Sequence, residues 1–67
     1  MFEQGKTYKV YDKGTITIQK RTKHYVTFTG DFSGRKKIDR GGILFGNNEY
    51  ILIETGVNGI KYFVVAR

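Results

Sequence analysis

Residues 15–29 read TITIQKRTKHYVTFT, two alternating stretches on either side of a cationic cluster. In TITIQ, Ile16 and Ile18 fall on one side and Thr15, Thr17 and Gln19 on the other. In YVTFT, Val26 and Phe28 oppose Tyr25, Thr27 and Thr29. A period of two is the pattern of a strand with one face in a core and one in water. A parallel crossover takes about a dozen residues or more, so strands this close in sequence must be antiparallel neighbours.

The same pattern extends in both directions. Strands are expected near 6–11, 14–20, 24–30, 34–40, 49–54 and 60–66, separated by Gly-, Asn- and Asp-containing breaks that suit tight turns. No stretch carries the i, i+3, i+4, i+7 apolar spacing of an amphipathic helix. Tyr8 and Val10 join the buried side of the first strand, and Ile38 is the core candidate of the fourth. Tyr50-Ile51-Leu52-Ile53 and Tyr62-Phe63-Val64-Val65 are apolar on both faces, as in a strand covered from both sides. A flat sheet this small would leave one face and two edges bare. The expected fold is therefore all-β: a five- or six-stranded antiparallel meander curled into an SH3-like barrel, with an OB-like barrel as the alternative. An OB-fold usually places a helix between its third and fourth strands, and residues 41–48 are too few for more than one turn.

The chain has 67 residues, which sets the expectation of one domain. A chain of this size buries only about 60% of its unfolded surface, so its margin of stability is small. It has no cysteine and one histidine, which removes disulfides, thiolate zinc sites and histidine-rich metal sites, and no cofactor is expected. The opening MFEQGKTYKV lacks the basic and apolar regions of a secretory signal. The apolar runs fall far short of the roughly 20 residues of a membrane helix. The expectation is a cytoplasmic protein with no membrane partner.

Charge is the most uneven property. Residues 1–12 and 42–67 each balance, so the whole net charge of +6 lies in residues 13–41. Cations gathered in one region of a small domain attract polyanions. Lys20, Arg21, Lys23 and His24 sit at the tip of the expected hairpin, and Arg35-Lys36-Lys37 opens the next strand beside it. Lys20, Arg21, Lys23, Arg35, Lys36 and Lys37 are the candidate phosphate contacts. Tyr25, exposed by its parity, is the candidate stacking ring. The alternative is that charged tips and lysine-rich edges only keep a small β-protein soluble.

Other residues read as structural. His24 reads as a hairpin residue, and Asp31 and Ser33 as turn residues. Ser33 lacks the G-x-S-x-G context of a nucleophile elbow. Gly41-Gly42 permits a bend, and no phosphate-binding loop or dinucleotide fingerprint is present. Tyr8 and Tyr62 read as core rings with a wet hydroxyl, Tyr11 as exposed, and Tyr50 as either. Phe2, Phe32 and Phe45 are expected to cap the open ends of the barrel.

The strings GTITIQKRTKHYVTFTGDFSGRKKI, LFGNNEYILI and KYFVVA carry a resemblance that runs from about Lys6 to Ala66. They are similar to a loose group of small β-rich proteins encoded by phages and mobile elements of Gram-positive gut bacteria. The shared features are KRT before an aromatic-Val-Thr strand, a basic R-K-K-hydrophobic strand, and G-x-x-E-Y-I. The resemblance implies a context and no activity. The expected function is a non-enzymatic module that binds DNA or RNA through phosphates. The alternative is an accessory module that docks on another protein, or a homodimer formed through Tyr50, Leu52, Phe63 and Val65.

Overall fold

The alternation of TITIQ and YVTFT becomes the central hairpin of the molecule. The structure, a computed structural model, describes residues 1–41, 46–54 and 59–66. Its strands are β1 (Thr7–Lys9), β2 (Thr15–Arg21), β3 (Tyr25–Gly30), β4 (Gly34–Lys37), β5 (Asp39–Arg40), β6 (Glu49–Glu54) and β7 (Lys61–Val65). All pairings are antiparallel, and no helix occurs among the described residues. The expected cap at Phe45, bend at Gly42 and turn at Val57 and Asn58 lie outside the described residues.

The expected strand 34–40 is divided. Residues 34–37 pair with β3, and residues 39–40 pair with β6. Ile38 stands at the corner, buried, and its N–H donates to the His24 carbonyl at 2.7 Å. That corner carries the chain from a four-stranded sheet, β1-β2-β3-β4, to a three-stranded one, β5-β6-β7. The two sheets do not close into the expected barrel. Closure would need a ladder between β1 and β7, the edges of their sheets. β1 is only three residues long, and two residues beyond its end Tyr11 turns the chain at φ 51°. A groove of about 760 Å³, lined by both edge strands and Tyr11, occupies the place of that ladder.

The core lies between the sheets and matches the expected parity. Tyr8, Val10, Ile16, Ile18, Val26 and Phe28 meet Ile51, Ile53, Val64 and Ala66, with Ile38 at the corner. Each fully buried Ile, Val or Phe side chain contributes roughly 1.5–3 kcal/mol relative to exposure. Phe2 is buried as the core strand residues are and meets Tyr8 edge-on at 4.9 Å. The Tyr8 hydroxyl accepts the Glu3 N–H at 2.9 Å and so holds the N-terminal segment over the core. Phe32 and Tyr62 pack against this cluster from its margin.

Gly30 allows β3 to pass close to β2. Its φ is +123°, and an added Cβ would lie 2.8 Å from the Thr15 carbonyl oxygen, a backbone atom that cannot swing aside. A substituted residue there is strained by its backbone angle as well as crowded. We predict that Gly30→Ala lowers the thermal midpoint by about 8 °C or more in a circular-dichroism melt, corresponding to about 1–3 kcal/mol for a domain of this size. An unchanged midpoint would contradict the packing of β2 on β3 described here.

Candidate nucleic-acid interface

The outer face of the four-stranded sheet is polar along its whole width. Its register sets Thr7 beside Thr17, Thr17 beside Thr29, Thr27 beside Arg35, and Tyr25 beside Lys37. The hydroxyls of Thr7 and Thr17 share a hydrogen bond at 2.9 Å, and Gln19 Nε2 donates to Thr29 Oγ1 at 3.0 Å. Threonine suits such a face because its branched Cβ packs on the pleat while its hydroxyl stays in water.

The alternation of β2 fails at one point. The pairing shifts between Ile18 and Lys20, so Gln19 and Lys20 together face Thr27, and Arg21 then faces Val26. This is a β-bulge, which inserts one residue and inverts the parity beyond it. Lys20 moves to the outer face with Thr27. Arg21 moves to the inner face with Val26, which is fully buried.

Arg21, expected at the outward tip among the phosphate contacts, is therefore not presented on the outer face, and its guanidinium points to Glu49. Nη1 lies 2.6 Å from Oε1 and Nη2 2.7 Å from Oε2, a bidentate fork. Nη1 also donates to the Phe2 carbonyl at 3.1 Å, and the Phe2 N–H donates to Glu49 Oε1 at 2.9 Å. The Glu49 side chain is 5% exposed and that of Arg21 18%, so the pair is largely out of water. Arg40, mostly in solvent, reaches the same carboxylate at 3.5 Å. The hydrogen bonds from Arg21, then the Phe2 N–H, hold the Glu49 carboxyl below its usual range against the opposing effect of burial. Hydrogen bonding to Glu49 raises Arg21 above its ordinary value.

The remaining candidates divide by position. Lys36 lies opposite Val26, on the inner side, and is half-buried, so the sheet does not present it with the others. Lys20, Arg35 and Lys37 are exposed on the outer face, and Lys23 is exposed in the β2–β3 turn. That turn is held by the Thr22 N–H donating to the Tyr25 carbonyl at 2.9 Å and the Tyr25 N–H donating to Thr22 Oγ1 at 3.1 Å. His24 is an exposed turn residue, as expected. Tyr25 is 38% exposed, and Arg35 lies over its ring at 4.1 Å from the centroid. The two make a cation–π pair. Lys9 joins the face as well, opposite Thr15. Its outward parity was legible, but the balanced charge of residues 1–12 masked it.

Among the described residues, none of Lys9, Lys20, Lys23, Arg35 or Lys37 belongs to an ion pair. The described residues hold no metal-binding cluster, and no helix among them is long and apolar enough to cross a membrane.

Two cations adjacent to the same turn thus have opposite surroundings, which a single comparison separates. Arg21→Gln leaves the Glu49 carboxylate buried without its fork and should cost about 3–5 kcal/mol, read as a lower urea midpoint, whereas Lys23→Gln should leave the midpoint nearly unchanged. Glu49 adds a pH dependence. Its folded pKa lies below the unfolded value, so its contribution is complete above the ordinary glutamate range, about 4.3, and is lost as pH falls through that range and below it. The thermal midpoint should fall on acidification from pH 7 into this window. Glu49→Gln, less stable throughout, should show a shallower fall, and equal slopes for the two proteins would contradict the assignment.

No family model, no curated protein and no solved structure matches this chain.

Proposed function

We propose that this protein is a non-enzymatic nucleic-acid-binding module that grips phosphates with the outer face of its four-stranded sheet. The observation that carries the reading is a set of cations, Lys9, Lys20, Lys23, Arg35 and Lys37, that make no ion pair among the described residues and share one face with threonine hydroxyls. A solubilising surface intersperses both signs of charge, whereas a polyanion site gathers one. Arg35 over the Tyr25 ring adds a cationic, aromatic surface suited to a base or sugar edge. Phosphate contacts made this way carry no base information, so the module binds with little sequence preference. A role for such a module in a phage or mobile element accords with the resemblance noted above.

Salt dependence tests the reading. Five phosphate contacts on duplex DNA give a slope of log K against log salt of about −4.5, and on a single strand about −3.5. Lys20→Gln with Lys37→Gln should flatten the duplex slope by about 1.8 and weaken binding alike for unrelated sequences. Binding independent of salt, or absent below about 100 µM, would overturn it.

A second reading has its own observation. Tyr50 pairs with Val65 and Leu52 with Phe63, so these four side chains share the outer face of the three-stranded sheet. Tyr50, Leu52 and Val65 are half-buried and Phe63 is 49% exposed, so the expected cover on both sides of these strands is incomplete. Self-association through this face is the corresponding proposal. Sedimentation equilibrium should then show a dimer that Leu52→Lys abolishes. A wild-type monomer at the highest soluble concentration would contradict it.

A further inference from the structure

The groove between β1 and β7 has a composition that neither the core nor the outer face explains. Tyr11, Tyr62, Phe63 and Val65 supply its apolar lining, and Lys9 and Lys61 are at its sides. Lys13 extends over the Tyr62 ring, its Nζ 5.9 Å from the centroid. Lys61 is 3.5 Å from Glu54, and Asp12 lies in the adjoining turn, so Lys9 and Lys13 carry most of the local positive charge.

Tyr11 is the unusual element. It is held at φ 51° in a tight turn closed by the Val10 N–H to the Gly14 carbonyl at 2.9 Å and the Lys13 N–H to the Val10 carbonyl at 2.8 Å. Glycine or asparagine occupies that conformation with less strain than a bulky residue. The ring gains little burial in exchange: it is 76% exposed and stacks on Tyr62 at 6.1 Å and 30°. Strain of this kind is found where a side chain is placed for a ligand. The turn thus presents an aromatic ring at the groove mouth, backed by a second ring and flanked by cations.

We propose that this groove takes unpaired bases of a single-stranded nucleic acid, which stack on the exposed side of Tyr11 and against Phe63. The inference rests on the phosphate-binding reading, and it names the ligand as single-stranded. Thr7 and Lys9 connect the two surfaces, because both belong to the outer face and to the groove lining. From β4 to β1 is three strand spacings, about 14 Å, so a few nucleotides span the face and reach the groove. Tyr11 and Tyr62 are already in contact, so bases stack outside the pair and do not enter between the rings. A duplex holds its bases in pairs and has nothing to offer the groove. An extended acidic peptide would meet the same cations, but a peptide does not supply the planar rings that these aromatic faces match.

The test compares a thymidine strand of about 12 nucleotides with a duplex of the same length by fluorescence anisotropy at low salt. Tyr11→Asn keeps a residue that tolerates the left-handed turn and removes the ring; Phe63→Ser is the second variant, in a different strand. Each should weaken single-strand binding between about 5-fold and 100-fold and leave duplex binding within about twofold, with an unchanged circular-dichroism spectrum. Single-strand affinity unchanged in both variants, with salt-dependent duplex binding intact, would overturn the groove and leave the phosphate reading standing. No binding of either oligonucleotide would overturn both. Tyr11-dependent binding of a polyglutamate peptide in place of the thymidine strand would also overturn the groove's assignment to bases.

Discussion

The Arg21–Glu49 fork is the interaction on which the two sheets and the N-terminal segment depend together. Arg21 ends β2, Glu49 begins β6, and the Phe2 backbone touches both. A buried carboxylate without partners would favour unfolding, and here its oxygens receive the guanidinium fork and a backbone N–H. The packing around it follows. With Phe2 tied to Glu49, its ring fills the core beside Tyr8, whose hydroxyl in turn holds the Glu3 N–H. A 67-residue chain without disulfides gains from such a link, because its apolar core alone leaves a small margin.

The same interaction explains why the candidate surface differs from a simple tally of positive residues. The bulge at Gln19 and Lys20 makes the fork possible by turning Arg21 inward. In the same step it turns Lys20 outward, to the side of Thr27 and the Arg35–Tyr25 pair. One added residue in a ladder thus exchanges a structural cation for a surface one. The outer face that results is a sheet of hydroxyls with cations at its edges and turn, an arrangement open to an extended anionic chain.

Most of the fold was legible because alternation reports burial directly. Ile16, Ile18, Val26, Phe28 and Ile38 are buried as their parity requires, and the antiparallel order follows from short connections. What was not legible has specific physical causes. The bulge contains no glycine and breaks no local rule, so only its partner strand reveals it. The split at Ile38 keeps perfect alternation and changes only which strand is adjacent. The open edge between β1 and β7 is followed by a tyrosine in a backbone conformation that its type does not announce. At the candidate site, tip position and parity give the exposure of Lys20, Lys23, Tyr25, Arg35 and Lys37 and the inner side of Lys36, whereas the inward turn of Arg21 is not legible and Lys9 is hidden by the balanced charge around it. Parity identifies faces, but a buried acid such as Glu49 decides which cation stays at the surface.

The most direct measurement of the central claim is a heteronuclear NMR titration of the labelled protein with an unlabelled oligonucleotide. Backbone amides of Lys20, Tyr25, Thr27, Arg35 and Lys37, with Lys9 at the far edge, should shift progressively with added ligand. The Arg21 side-chain resonance, engaged with Glu49, should not move. Shifts confined to Tyr50 and Leu52, on the opposite sheet, or an Arg21 resonance that leads the response, would contradict that claim.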